Sequence, residues 1–212
     1  MKCFGLAGSP PSGFTTPRRL SASVLFGGVS FSVVSLLAYS IWAFRLVPGT
    51  AGLYTTTALV YVGLGGLALS RLVAAPGAWK RFPPCFAFAF LAYAAGWCVF
   101  WFGLRGRYQA DLFGAAAGLA AMTWVLQRAF GRTPGFLLTF AGLFALHSAG
   151  YYLGEQLYAA VPGPNGRLLW GAAHGLGFGA GLGFVLHRCQ APEGRNVGGT
   201  SSSLCSLYTG DC

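Results

Sequence analysis

Two histidines, one glutamate and a run of tyrosines late in the chain carry most of the chemistry on offer: His147, Ser148, Tyr151, Tyr152, Glu155 and His174. On a helical wheel at 100° per residue starting from His147, Ser148, Tyr151, Tyr152, Glu155, Gln156 and Tyr158 fall within roughly half a turn. Leu143, Leu146, Leu153 and Leu157 occupy the opposite arc. A polar half-helix in an apolar segment must face other helices or a water-filled cavity, because hydrocarbon solvates neither hydroxyls nor charge. A histidine or a glutamate can act as general base and a tyrosine as polariser, so the group reads as a candidate intramembrane polar cluster. The turn at 161–167 joins this segment to the next. At 1.5 Å per residue, Glu155 and His174 lie about 9–10 Å from that turn and His147 about 21 Å from it. Glu155, Tyr151 and His174 are therefore expected to meet, with His147 deeper.

The same arithmetic bounds the cofactor readings. An offset of about 10 Å speaks against one haem shared by His147 and His174. A zinc hydrolase asks for three converging ligands, commonly with an HxxxH pair, and His187 lies at the far end of its segment. No catalytic residue, metal ligand or cofactor is assigned. The last apolar segment, with His174-Gly175 followed by glycines at four-residue intervals, is similar to the final helix of rhomboid intramembrane proteases, as is a six-span layout with the N-terminus inside. The resemblance covers about 15 residues. It implies a catalytically inactive relative, because the GxSG nucleophile motif of that family is replaced in the fourth span by Gly114-Ala115-Ala116-Ala117.

The elements that must position these groups follow from hydropathy. Hydrophobic residues make up 55% of the chain, charged residues 8%, and mean hydropathy is +0.59. A membrane span needs roughly 20 mostly apolar residues, and six stretches qualify: 20–46, 50–74, 84–104, 112–130, 136–160 and 168–187. The expected fold is all-α, a polytopic helix bundle of six transmembrane helices. It divides into a disordered N-terminal segment (1–19), the membrane domain (20–188) and a flexible tail (189–212). No cleavable signal is expected, so the first span is retained. Of the 14 basic residues, four (Arg45, Arg105, Arg107 and Arg167) fall on one side. The remainder, including Arg71, Lys80, Arg81, Arg128 and Arg188, fall on the other, which places both termini in the cytoplasm. Basic residues spread over span ends are a topology signal, so nucleic acid is not an expected partner. The bilayer is, and the setting is a cell membrane, the inner one if the source is bacterial.

Local patterns refine this picture. Val47-Pro48-Gly49 and Val161-Pro162-Gly163 read as turns with positive φ at glycine. Residues 76–84 read as an interfacial connector, with Trp79 at headgroup depth. The aromatic third span, Phe86 to Phe102, shows no polar anchor and reads as lipid and packing contact. Asp111 reads as an N-cap with a local ion pair, and Gly114–Gly118 as a small-xxx-small surface. Cys85 and Cys98 lie about 20 Å apart along one helix, too far for a disulfide. Gly171, Gly175, Gly179 and Gly183 form a ridge for close helix packing, within the chain or in a homo- or hetero-oligomer. The favoured role is a non-enzymatic binding, transport or assembly subunit with a polar cavity between helices five and six. The alternative is an intramembrane hydrolase or transferase using Glu155 and His174.

Overall fold

The computed structural model describes Leu6 and residues 19–131 and 135–191. The expectations for segments 1–19 and 189–212 fall outside these residues, apart from Leu6, Arg19 and 189–191. Among the described residues the protein is wholly helical. Six helices are long and apolar enough to cross a membrane: α1 (Leu20–Ala43), α2 (Thr50–Ser70), α3 (Ala78–Gly103), α4 (Ala110–Ala129), α5 (Phe136–Ala160) and α6 (Pro164–Gln190). Short linkers make consecutive helices antiparallel. One end of the bundle, the near end, holds Leu20, Ser70, Ala78, Ala129, Phe136 and Gln190; the opposite, far end holds the turns after Ala43, Gly103 and Ala160.

Three of the boundaries that differ from the sequence reading bear on the packing. Helix α3 begins at Ala78 after Gly77 (φ 67°), so the expected connector is helical and Pro83 and Pro84 lie inside the helix. Gly66 of α2 leaves room for the Pro83 ring to pack against it. Helix α6 begins at Pro164 instead of residue 168, since proline at the first helical positions forfeits no hydrogen bond. It also runs to Gln190, whose side chain ties down the end of α2: Oε1 accepts from the Ala74 N–H at 2.7 Å, and Nε2 donates to the Leu72 carbonyl at 3.0 Å. Gly49 (φ 74°) and Gly163 (φ 93°) adopt the positive φ their turns require.

Glycine decides how the helices meet. The Gly171–Gly183 ridge lies against α1 of the same chain: a Cβ on Gly179 would strike the Gly27 carbonyl, one on Gly175 would strike Ser35, and one on Gly183 the Ser23 carbonyl. A second arc of α6 meets α5, where Gly177 abuts Gly150 and Gly181 abuts Leu143. Helix α6 is thus held between α1 and α5 at backbone contact. Helices α3 and α4 form a separate close pair through Gly96 and Gly118, with Gly114 against Trp97. In each case a missing side chain allows van der Waals approach, the main adhesive available where solvent is as apolar as the side chains.

The near half between these pairs is solid. Phe82, Phe86, Leu119, Met122, Leu126, Leu182 and Leu186 are fully buried there. The far half is not. Among the described residues, Thr50–Val60 has none buried, and α3 has none beyond Phe90. A π-helical turn at Tyr61–Gly65 separates the two regimes in α2. The extra residue per turn rotates the helix face, which brings Tyr61 into the bundle, where it stacks on Phe31 (5.6 Å) and Phe90 (5.7 Å).

Candidate functional site

The unfilled far half is a cavity of about 700 Å³ to which all six helices contribute. Its walls are aromatic: Tyr39 and Trp42 from α1, Tyr54 and Tyr61 from α2, Phe90, Trp97 and Trp101 from α3, and Trp170 from α6. Small residues Ala58, Ala94 and Ala115 leave the space that these rings border. Polar groups converge at the floor. His147 from α5, 3% exposed, places Nε2 at 3.2 Å from His174 Nε2 of α6 and at 3.1 Å from the Tyr93 hydroxyl of α3. Phe178 closes the floor beneath both imidazoles, with ring centroids at 5.0 Å from His147 and 5.9 Å from His174. Behind it the Ser35 and Tyr61 hydroxyls share a hydrogen bond of 2.6 Å. At the far rim Arg167 lies over the Trp42 ring at 4.6 Å and donates to the Trp42 carbonyl at 3.3 Å.

The hydrogen bonding at the floor is over-subscribed. An imidazole Nε2 carries either one proton or one lone pair. His147 Nε2 therefore cannot bond fully to both His174 and Tyr93. Since one imidazole must donate and the other accept, the two rings hold opposite tautomers, and the Nδ1 of each is buried without a hydrogen-bond partner among the described residues. Such unmet demand is costly in an apolar interior.

The expected cluster is rearranged. His147 and His174 meet directly, because the linker is only 161–163 and α6 starts early. His147 lies 13 residues from Ala160 and His174 ten from Pro164, an offset of about 4–5 Å instead of 10 Å. The haem argument changes accordingly. The imidazoles are too close for a porphyrin between them, and α5 and α6 are in backbone contact at Gly150 and Gly177. Tyr151 and Ser148 line the cavity, as does Tyr152, which is 41% exposed. Glu155 lies one turn beyond Tyr151 on α5 and is not among the lining residues. The buried face of α5 is Leu143, His147, Gly150 and Gly154, so Leu143 points inward and Gln156 outward. Glycines, invisible on a polarity wheel, set that face. The cavity consequently lies in front of the α5–α6 hairpin, since the helices themselves touch.

Several side chains that line or floor the cavity escaped the sequence reading. Tyr93, the single hydroxyl in the aromatic run of the third span, is the polar anchor judged missing there. Tyr61, Ser35, Trp42 and Trp97 also escaped, since nothing local marks a tyrosine or tryptophan as cavity-facing. Asp111 lies inside the first turn of α4 and lines the cavity, while Gln109 (φ 55°) holds the cap position. No family model matches the chain, and no curated protein or solved structure matches it.

Proposed function

We propose that the protein is a multi-pass membrane protein, its termini in the cytoplasm, that binds a lipid-soluble, ring-bearing small molecule in the far-half cavity. The single observation that carries this reading is the cavity itself, about 700 Å³ walled by tryptophan and tyrosine and floored by three convergent polar groups. A ligand pocket has that size and that distribution of a few polar groups in an apolar lining. Aromatic walls favour a flat guest, because ring faces stack at little cost in side-chain entropy. A conduction path would continue past His147 toward the near end, and that half is filled by Phe82, Phe86, Leu126 and Leu186. A general-base pair of Glu155 and His174 would need both at the cavity, and His174 is engaged with His147 instead.

The test is a titration of purified protein in nanodiscs with a short-chain prenylated naphthoquinone, followed by quenching of tryptophan fluorescence. Saturable quenching near one ligand per chain is expected. Ala115→Trp, which fills the cavity, should abolish it, while Leu91→Phe on the exposed face of α3 should not. Identical quenching in all three proteins would reject the reading.

A further inference from the structure

The wall of the far-half cavity carries a charge as well as rings, and the sign of that charge narrows the class of guest. The chain holds 14 lysines and arginines against 4 acidic residues. None of the lysines or arginines lines the cavity, yet one of the acids does: Asp111, in the first turn of α4. A composition so strongly basic would place the opposite charge there if the wall were filled without regard to sign. We propose that the guest is a flat aromatic cation, held with its positive charge beside Asp111 at the cavity rim and its rings between the aromatic walls. This rests on the reading of the cavity as a lipophile site and names the chemistry of the lipophile.

The packing of α3 on α4 sets the carboxylate among rings. These helices are antiparallel, and Gly114 lies against Trp97. One turn nearer the far end, the corresponding residues are Asp111 on α4 and Trp101 on α3, and both line the cavity. Trp97 and Trp101 stack on each other, with ring centroids 5.0 Å apart and planes 13° apart. The face of an aromatic ring carries negative charge density, so it attracts a cation, and tryptophan does so best. The rim already holds a cation in this way, since the Arg167 guanidinium lies 4.6 Å from the centre of the Trp42 ring. Arg167 is engaged there on the α1–α6 side, with the Trp42 carbonyl as acceptor, and is not a lining residue.

The carboxylate is free to serve such a guest. Arg105 and Arg107 precede it in the connecting turn, but both are exposed, and among the described residues neither forms the local ion pair expected from the sequence. Desolvation limits how deep a charge can travel, because an isolated ion is costly to bury. A carboxylate at the mouth of a half-open cavity meets that limit. The charged end of the guest stays at the rim, and only its uncharged rings descend toward Phe178 and the imidazoles. An anionic guest would face Asp111 as a like charge, and a neutral one would leave it unused. A carboxylate in the first turn of a helix also suits the helix dipole, but that role does not discriminate between guests, and the experiment separates the two.

The experiment compares probes of one shape and different charge: 10-methylacridinium, a flat ring system with a fixed positive charge, and 9-methylanthracene, its neutral counterpart. Each is titrated by fluorescence into the full-length protein in nanodiscs of zwitterionic lipid, with empty nanodiscs subtracted. Saturable binding of the cation near one per chain is expected. Asp111→Asn should weaken the cation about tenfold and leave the neutral probe unchanged, which also reports that the variant is folded. Asp111→Glu should restore the cation. A third probe needs no variant: anthracene-9-carboxylate, an anion on the same rings, should bind wild type more weakly than the cation. Three results would overturn the proposal: no binding of the cation where the neutral probe binds, equal effects of Asp111→Asn on both probes, or an anion held as tightly as the cation. Failure of the lipophile reading looks different, since the naphthoquinone and all three ring probes would then go unbound by wild type.

Discussion

The near and far halves of this bundle are built from similar apolar residues, yet one is tightly packed and the other holds a half-open cavity. In the near half, phenylalanine and leucine from α3, α4 and α6 interlock with 0–1% exposure. In the far half, α2 has no buried residue before its π turn, and large rings stand around alanines. Hydropathy does not separate these regions. Glycine closes helix pairs in both halves, and what separates the halves is where large side chains interlock and where rings standing around alanines leave space. A stable half with a hollow half above it is how a small protein can hold a site without losing its fold.

The contrast can be broken most sharply at the glycines. Gly179→Leu should abolish folding, because its new side chain would meet the Gly27 carbonyl and Phe31. The readout is the yield of monodisperse protein in detergent. Next in size, Phe86→Ala in the near half should cost roughly 3 kcal/mol through the cavity it leaves. Trp101→Ala, which enlarges an existing cavity, should cost less than about 1 kcal/mol. Equal losses in thermal or denaturant unfolding would erase the distinction between halves. Tyr61→Phe removes the hydrogen bond to Ser35 and should cost about 1 kcal/mol while the ring stacking stays.

A further small effect concerns the far-end turns, and its sign is stabilising. Arg45 and Arg105, both at φ 52°, follow the ends of α1 and α3 where glycine is the favoured residue. The Leu46 N–H returns to the Ile41 carbonyl, and the Gly106 N–H to the Trp101 carbonyl, which is the hydrogen bonding of a Schellman cap. Arg105→Gly should therefore raise stability by about 1 kcal/mol, read as a higher unfolding midpoint. No gain would mean that the arginine side chain contributes as much as the strain removes.

The spans were legible in the sequence because bilayer thickness imposes a length and a composition on each of them. Each of the six expected segments begins or ends within three residues of the helix observed, and 136–160 matches α5 at both ends. The turn glycines were legible for a similar reason, since Pro-Gly specifies a local dihedral. The site was only half legible. His147 and His174 stood out as rare polar groups on adjoining helices, but their depth depended on a linker whose length proline shortened. Tyr93 comes from α3, 54 residues before His147, and no local pattern specifies which distant helix closes over a histidine. The inward face of α5 was misassigned because Gly150 and Gly154 direct packing by what they lack.

Two native cysteines on one helix put the central claim within reach of a single measurement. Cys98 lines the far-half cavity, and Cys85, 13 residues earlier on α3, is fully buried in the near-half core. Alkylation with a bilayer-soluble maleimide in native membranes, mapped by mass spectrometry, reads the accessibility of both. A hollow far half predicts rapid modification of Cys98, slowed by Ala115→Trp, with Cys85 untouched until the protein unfolds. Comparable rates at the two cysteines, or no slowing when the cavity is filled, would contradict it.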